Sequence, residues 1–187
     1  ADLRAAVEVA KGVGIPTTSL VFPRNQANPA YLPVLDELGI ACYRGNERMS
    51  FYKPRNQQGQ SPLVRALRLL DTYINLSGHN TYSLEECARS RPFDIPASRF
   101  LRPCSRSLAP LESLRLHRIK RAMHEAATEN RLFHLWWHPH NFGADVKRNL
   151  DFLRKILIHY DQLRQRHGMQ SRNMGEVAAL LERMHVG

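Results

Sequence analysis

Two features of this sequence have the residue types and setting for chemistry: histidines set among aromatic side chains, and an arginine behind an apolar stretch. The first is the run Phe133-His134-Leu135-Trp136-Trp137-His138-Pro139-His140-Asn141-Phe142. His134-x-x-x-His138 has the spacing that turns two metal ligands to one side of a helix. Pro139 opposes such a helix, because it lacks an N–H and disfavours helical geometry at His138. The aromatic and apolar residues before it favour a buried strand that delivers imidazoles to its C-terminal end. On a strand, His134 and His138 share a face but stand roughly 13 Å apart, at about 3.3 Å per residue, too far for one zinc ion. The chemistry that suits His138 is general acid–base work, since imidazole titrates near neutral pH. The alternative for each histidine is a hydrogen-bonded structural imidazole, which is how His134 is read; His140 stays open. Trp136 and Trp137 can wall a site or stack on a sugar ring, or equally fill a core. Arg24 follows Leu20-Val21-Phe22-Pro23. A guanidinium in a site orients a carboxylate or binds an anion, although among 27 basic residues a surface role is the ordinary one.

Positioning these groups requires strands that end together. Helical spacing of apolar residues marks residues 2–11, 29–38, 62–74, 110–130, 145–167 and 174–184. The expected inward faces include Leu63, Leu67, Leu70 and Ile74 in the third of these. In the fifth they are Val146, Leu150, Leu153, Leu157, Tyr160 and Leu163. Asn28-Pro29, Ser61-Pro62 and Asn173 with Glu176 read as helix starts, and Gly168 as a stop. Strands are expected at Thr17–Phe22, Ile40–Tyr43, Phe133–His138 and, briefly, Met169–Arg172. Residues 49–61, with Pro54, Asn56 and Gly59, read as loop. Residues 75–110, with Pro92, Pro96, Pro103 and Pro110, read as an irregular insertion. Alternating helices and strands predict an α/β fold with parallel strands. The strands end in polar residues, at Arg24-Asn25, Arg44-Gly45-Asn46 and His138-Pro139-His140. In a parallel barrel those ends share one face, where catalytic groups gather.

The 187 residues are enough for a single domain with a real core, and 43% hydrophobic content fits a globular chain. No apolar run reaches the roughly 20 residues of a membrane helix. The opening Ala1-Asp2-Leu3-Arg4 has no basic-then-apolar leader, so the expectation is a cytoplasmic protein whose true N-terminus lies upstream. Cys42, Cys87 and Cys104 are odd in number and widely spaced, against a structural zinc site or a disulfide framework. A formal charge of +10 favours anionic partners without choosing among them. The basic stretch Arg115 to Arg121 reads as a solvated helix face, and no nucleic-acid recognition motif supports a specific nucleic-acid partner. Phosphate-cradling glycine motifs and G-x-S-x-G are absent.

Ser19 to Gln26, Tyr43 to Glu47 and His134 to Phe142 resemble the later half of the NodB-type polysaccharide deacetylases. The resemblance implies a partial, distorted (β/α) barrel over residues 1–187 that lacks its N-terminal strands. It implies metal-dependent hydrolysis of acetyl groups from N- or O-acetylated sugars, with an acetylated glycan as the partner. His138, in Leu135-Trp136-Trp137-His138, matches the family's general acid. Arg24 matches the arginine that orients the catalytic base, although Asn25-Gln26 follow where the family has proline and an aromatic residue. Trp136, Trp137, Asn25, His140 and Asn141 are the implied substrate contacts. The aspartate–tryptophan motif that supports the general acid has no clear counterpart; Asp71 is the candidate for its aspartate. The family's Thr-Phe-Asp-Asp and His-[Ser/Thr]-x-x-His motifs are absent. The divalent metal, zinc by preference, is therefore expected in the intact protein and not in this chain alone. A glycan-binding barrel without catalysis is the alternative.

Overall fold

The computed structural model describes residues 2–52 and 61–186, with backbone alone at Arg24, His185 and Val186. The loop expected over 49–61 therefore lies mostly outside the described residues, and Ser50–Tyr52 at its start is a 3-10 turn. The chain is α/β, built from helices and short parallel strands. Contacts group it into two compact units. The first comprises Ala1–Gly45, Leu84–Pro96 and Ser171–Gly187, and the second Asn46–Ser83 and Ala97–Gln170. Among the described residues, no helix is long and apolar enough to cross a membrane.

The first unit holds helices α1 (Asp2–Gly12), α2 (Leu32–Glu37), α4 (Leu84–Cys87) and α7 (Met174–Val186). Its parallel sheet runs in the order β1 (Ser19–Leu20), β2 (Cys42–Tyr43), β3 (Phe93–Asp94). Backbone bonds such as Ala41 N–H to Thr18 O and Ile95 N–H to Tyr43 O carry the ladder past the formal strand ends. Val7, Phe22, Leu35, Ile40 and Tyr43 form its core. α7 starts where the sequence predicts: Asn173 Oδ1 accepts from Glu176 N–H at 2.9 Å, and Glu176 Oε2 accepts from Asn173 N–H at 2.8 Å. This reciprocal pair satisfies two donors that a helix start leaves open.

The second unit holds α3 (Pro62–Tyr73), α5 (Glu112–Thr128), α6 (Val146–His167) and the parallel pair β4 (Arg99–Phe100) and β5 (Leu135–Trp136). Ser61 caps α3 by accepting from Val64 N–H, and Asp145 caps α6 by accepting from Arg148 N–H. Gly168 ends α6 in the left-handed region at φ 69°, as the sequence leads one to expect. Leu101, Ile119, Met123, Phe142, Phe152, Ile156 and Leu163 form the core.

Several expectations need correction. Residues 75–110 are not irregular throughout, for they supply α4, β3 and β4; two-residue strands flanked by Pro92, Pro96 and Pro103 are too short to show alternation. Residues 169–172 form no strand, because after Gly168 the chain runs directly to the Asn173 cap. On α6 the buried stripe is Asn149, Phe152, Ile156 and Leu163, while Val146, Leu150 and Leu157 are about half exposed. The helix carries two interleaved apolar stripes, and Asn149 selects between them. Its Oδ1 accepts from Cys104 N–H at 2.6 Å and its Nδ2 donates to Phe142 O at 3.3 Å. On α3, Leu63, Leu70 and Ile74 are exposed and the inward face holds Val64 and Asp71.

Truncating the two stripes of α6 tests this rotation. Ile156→Ala should cost about 2–5 kcal/mol in urea unfolding, and Leu157→Ala less than about 1 kcal/mol. The reverse order would place the Leu157 stripe inside.

Candidate active site

β5 is too short to hold itself, and its position comes from β4. Arg99 pairs with Leu135 and Phe100 with Trp136 in parallel register. Ser98 and Arg99 N–H groups both donate to His134 O, and Leu101 N–H donates to Trp136 O at 2.8 Å. His134 is fixed through its backbone as well, its N–H donating to Ser98 Oγ at 2.9 Å. The strand then breaks at Pro139, and a 3-10 segment, Pro139–Asp145, follows. His138 sits at this break, in extended geometry, with its carbonyl accepting from Asn141 N–H at 3.0 Å. The residue is exposed to solvent.

Aromatic rings surround the His138 imidazole. Trp136 meets it edge-on at 5.3 Å between centroids, and Phe100 at 5.9 Å. His140 stacks on it at 5.2 Å. Phe100 and Trp136 pack against each other at 4.5 Å. Trp137 points elsewhere: its indole stacks nearly parallel on buried Phe142, and 37% of the residue is exposed. Trp136, His138 and His140 thus form one cluster, with Trp137 and Asn141 on the same segment. Phe100 joins it without any local sequence signal, because it lies in the proline-rich stretch that reads as irregular.

β4 is in turn anchored by charge. Asp71 is fully buried. One carboxylate oxygen accepts from Leu76 N–H (3.0 Å), Ser77 N–H (2.8 Å) and Arg118 (2.7 Å). The other accepts from the Tyr52 hydroxyl (2.7 Å), the Ser77 hydroxyl (2.8 Å) and Arg99 (2.7 Å). Burial alone would raise this carboxyl, but Arg99, Tyr52 and Arg118 outweigh it and hold it at about 2. Glu47, also buried, is pushed up by burial, which a backbone hydrogen bond and the charges of Arg99 and Arg68 offset only in part. The solvated face expected for Arg115 to Arg121 is therefore wrong at two positions. Arg118 is buried against Asp71, and Arg115 is buried against Glu112 and the Arg102 carbonyl, its guanidinium 3.9 Å from the Phe152 ring centroid. Both lie on the inward side of α5 with Ile119 and Ala122, where a buried cation needs a carboxylate partner. Asp71 contacts Arg99 and not His138, so it supports the histidine only through the strand.

Arg24 and Asn25 belong to the first unit. The Arg24 backbone lies in the 3-10 turn Pro23–Asn25 that leaves β1. Asn25 adopts φ 55°, a conformation asparagine tolerates. Its Oδ1 accepts from Arg44 Nε at 3.0 Å and Nη2 at 2.7 Å, so the polar ends of β1 and β2 meet, as parallel pairing requires. Beside them burial raises the Asp94 carboxyl to about 6, which the neighbouring Tyr43 hydroxyl offsets only in part. A Cβ on Gly45 would fall 1.9 Å from Asp94 Oδ1, so the close approach depends on glycine. Asp94 lacks a sequence signal for the same reason as Phe100.

Among the described residues, no group of three or more His, Cys, Asp or Glu could hold a metal ion. No protein-family model, curated protein or solved structure matches the chain.

The two perturbed carboxylates give opposite pH dependences. Asp71 lies below its ordinary 3.8, so its contribution is complete above about pH 4 and is lost as pH falls toward 2. Asp94 lies above that value at about 6, so its contribution is complete below about pH 4 and is lost as pH rises through 6. Asp71→Asn should cost about 3–5 kcal/mol near neutrality and flatten the acid limb of urea-unfolding stability. Asp94→Asn should flatten the segment between pH 4 and 6. Unchanged pH profiles would remove both assignments.

Proposed function

We propose that this chain is the C-terminal portion of a NodB-type polysaccharide deacetylase and contributes the proton donor of the reaction. Its strands and helices belong to the distorted (β/α) barrel of that family. The observation that carries the reading is the placement of His138: an exposed imidazole at the C-terminal end of parallel strand β5, ringed by Trp136, Phe100 and His140. Hydrolysis of an acetylated sugar adds water to the acetyl carbon and releases acetate and a free amine or hydroxyl. The leaving nitrogen or oxygen needs a proton as its bond to that carbon breaks. His138, protonated, donates it from the strand end. Trp137, one face backed by Phe142, is suited to stack on a sugar ring. His140 and Asn141 flank the same turn, where they can contact the glycan. Arg24 and Asn25, which follow β1, match the family's base-orienting segment. The base and the metal ligands come from chain outside these 187 residues.

A non-catalytic glycan-binding role is the second reading. It is favoured by the exposed Trp137, whose indole is stacked on Phe142.

The first of two measurements separates them, and the second tests the Trp137 platform that both share. In the protein that carries this chain, His138→Gln should lower kcat for acetate release from an acetylated glucosamine oligomer by about 10²–10⁴-fold. Retained turnover would remove the general-acid role. The 187-residue chain alone should bind the same oligomer with a change in tryptophan fluorescence that Trp137→Ala abolishes. Binding that survives Trp137→Ala would exclude this indole as the platform.

A further inference from the structure

We propose that Phe100 is a positioning residue that fixes the ring plane of His138. The kinetic consequence rests on the deacetylase reading above; the contact itself does not.

Successive side chains on a strand point to opposite faces. On β4, Arg99 turns inward and is held by the buried Asp71 carboxylate at 2.7 Å. Phe100, the next residue, therefore faces the other way, and parallel register sets it beside Trp136. From there its ring reaches both Trp136, at 4.5 Å, and His138, at 5.9 Å and an interplanar angle of 62°. Edge-to-face packing at centroid separations of about 4.5–7 Å is the arrangement aromatic quadrupoles favour. Among the described residues, no side-chain hydrogen bond orients the His138 imidazole, which leaves ring packing to do so. Trp136 and His140 belong to the same strand end and move with His138. Phe100 is the ring of this cluster that comes from another strand, so it references the imidazole to β4 and hence to the charged anchor beneath it.

A side chain in this role acts on the rate and not on substrate affinity. Loss of the ring leaves the imidazole present but free to rotate away from the leaving group. Orientation errors of this kind are read in kcat.

The test begins with the unmodified protein that carries this chain. Nuclear Overhauser contacts between the Phe100 and His138 ring protons are expected, with His138 ring resonances assigned by their loss in His138→Gln. Those resonances should be displaced by the ring currents of the neighbouring rings. The displacement should shrink in Phe100→Leu and persist in Phe100→Tyr, which keeps the ring. Absence of the contacts, or equal His138 shifts in the unmodified protein and Phe100→Leu, would overturn the proposal. In the acetate-release assay of the protein that carries this chain, Phe100→Leu should lower kcat about tenfold with KM unchanged. Phe100→Tyr should restore it, and Phe100→Leu should have no further effect in a His138→Gln background. A Phe100→Leu effect of equal size in that background would mean a general structural role and overturn the proposal. If the unmodified protein releases no acetate, the deacetylase reading falls, while the resonance data still decide the role of Phe100.

Discussion

A carboxylate without solvent is the constraint on which the second unit is built. Asp71 has no exposure, and an isolated buried charge would cost several kcal/mol. Two guanidinium groups, a phenol, a hydroxyl and two backbone amides offset that cost. Each donor comes with a structural consequence. Arg118 fixes the rotation of α5, Arg99 fixes β4, and Leu76 with Ser77 turns the chain that leaves α3. Because Asp71 must face inward, α3 is rotated so that Leu63, Leu70 and Ile74 lie outside. Charge satisfaction prevails over apolar burial on this helix.

The same anchor reaches the candidate site by a short path. Arg99 and Phe100 are neighbours on β4, one held inward and the other packed against Trp136 and His138. β5 adds its own backbone bonds to β4, so the strand end that presents His138 is set by interactions of its partner strand. A buried ion pair thus lends rigidity to the strand end that presents an exposed histidine. In the first unit the polar ends of β1 and β2 are joined in a comparable way by Asn25 and Arg44.

Local signals in the sequence were enough for part of this. The caps at Ser61 and Asn173, the Gly168 stop, and the break after His138 all depend on residues within a few positions of one another. The inward faces of α3 and α6 do not. Hydrophobic spacing reveals stripes but cannot choose between two on one helix, and the choice was made by polar groups, Asp71 and Asn149. The partners of Asp71 lie 28 and 47 positions away, at Arg99 and Arg118. Such pairs leave no periodicity, so Arg115 and Arg118 read as surface residues. β3 and β4 are two residues long and bounded by prolines, which conceals Asp94 and Phe100 from pattern-based reasoning. His138 was legible because its strand is aromatic and its ending abrupt.

The dependence of the His138 strand on the buried carboxylate can be read directly by amide hydrogen exchange in the unmodified chain and in Asp71→Asn. The Arg99 and Leu101 amides donate to the His134 and Trp136 carbonyls, whereas the Phe152 and Ile156 amides lie within α6. The expected result is a loss of protection at Arg99 and Leu101 that exceeds any loss at Phe152 and Ile156. Equal losses at both places, or full protection of Arg99 and Leu101 in Asp71→Asn, would contradict the proposed support of β4 and His138 by Asp71.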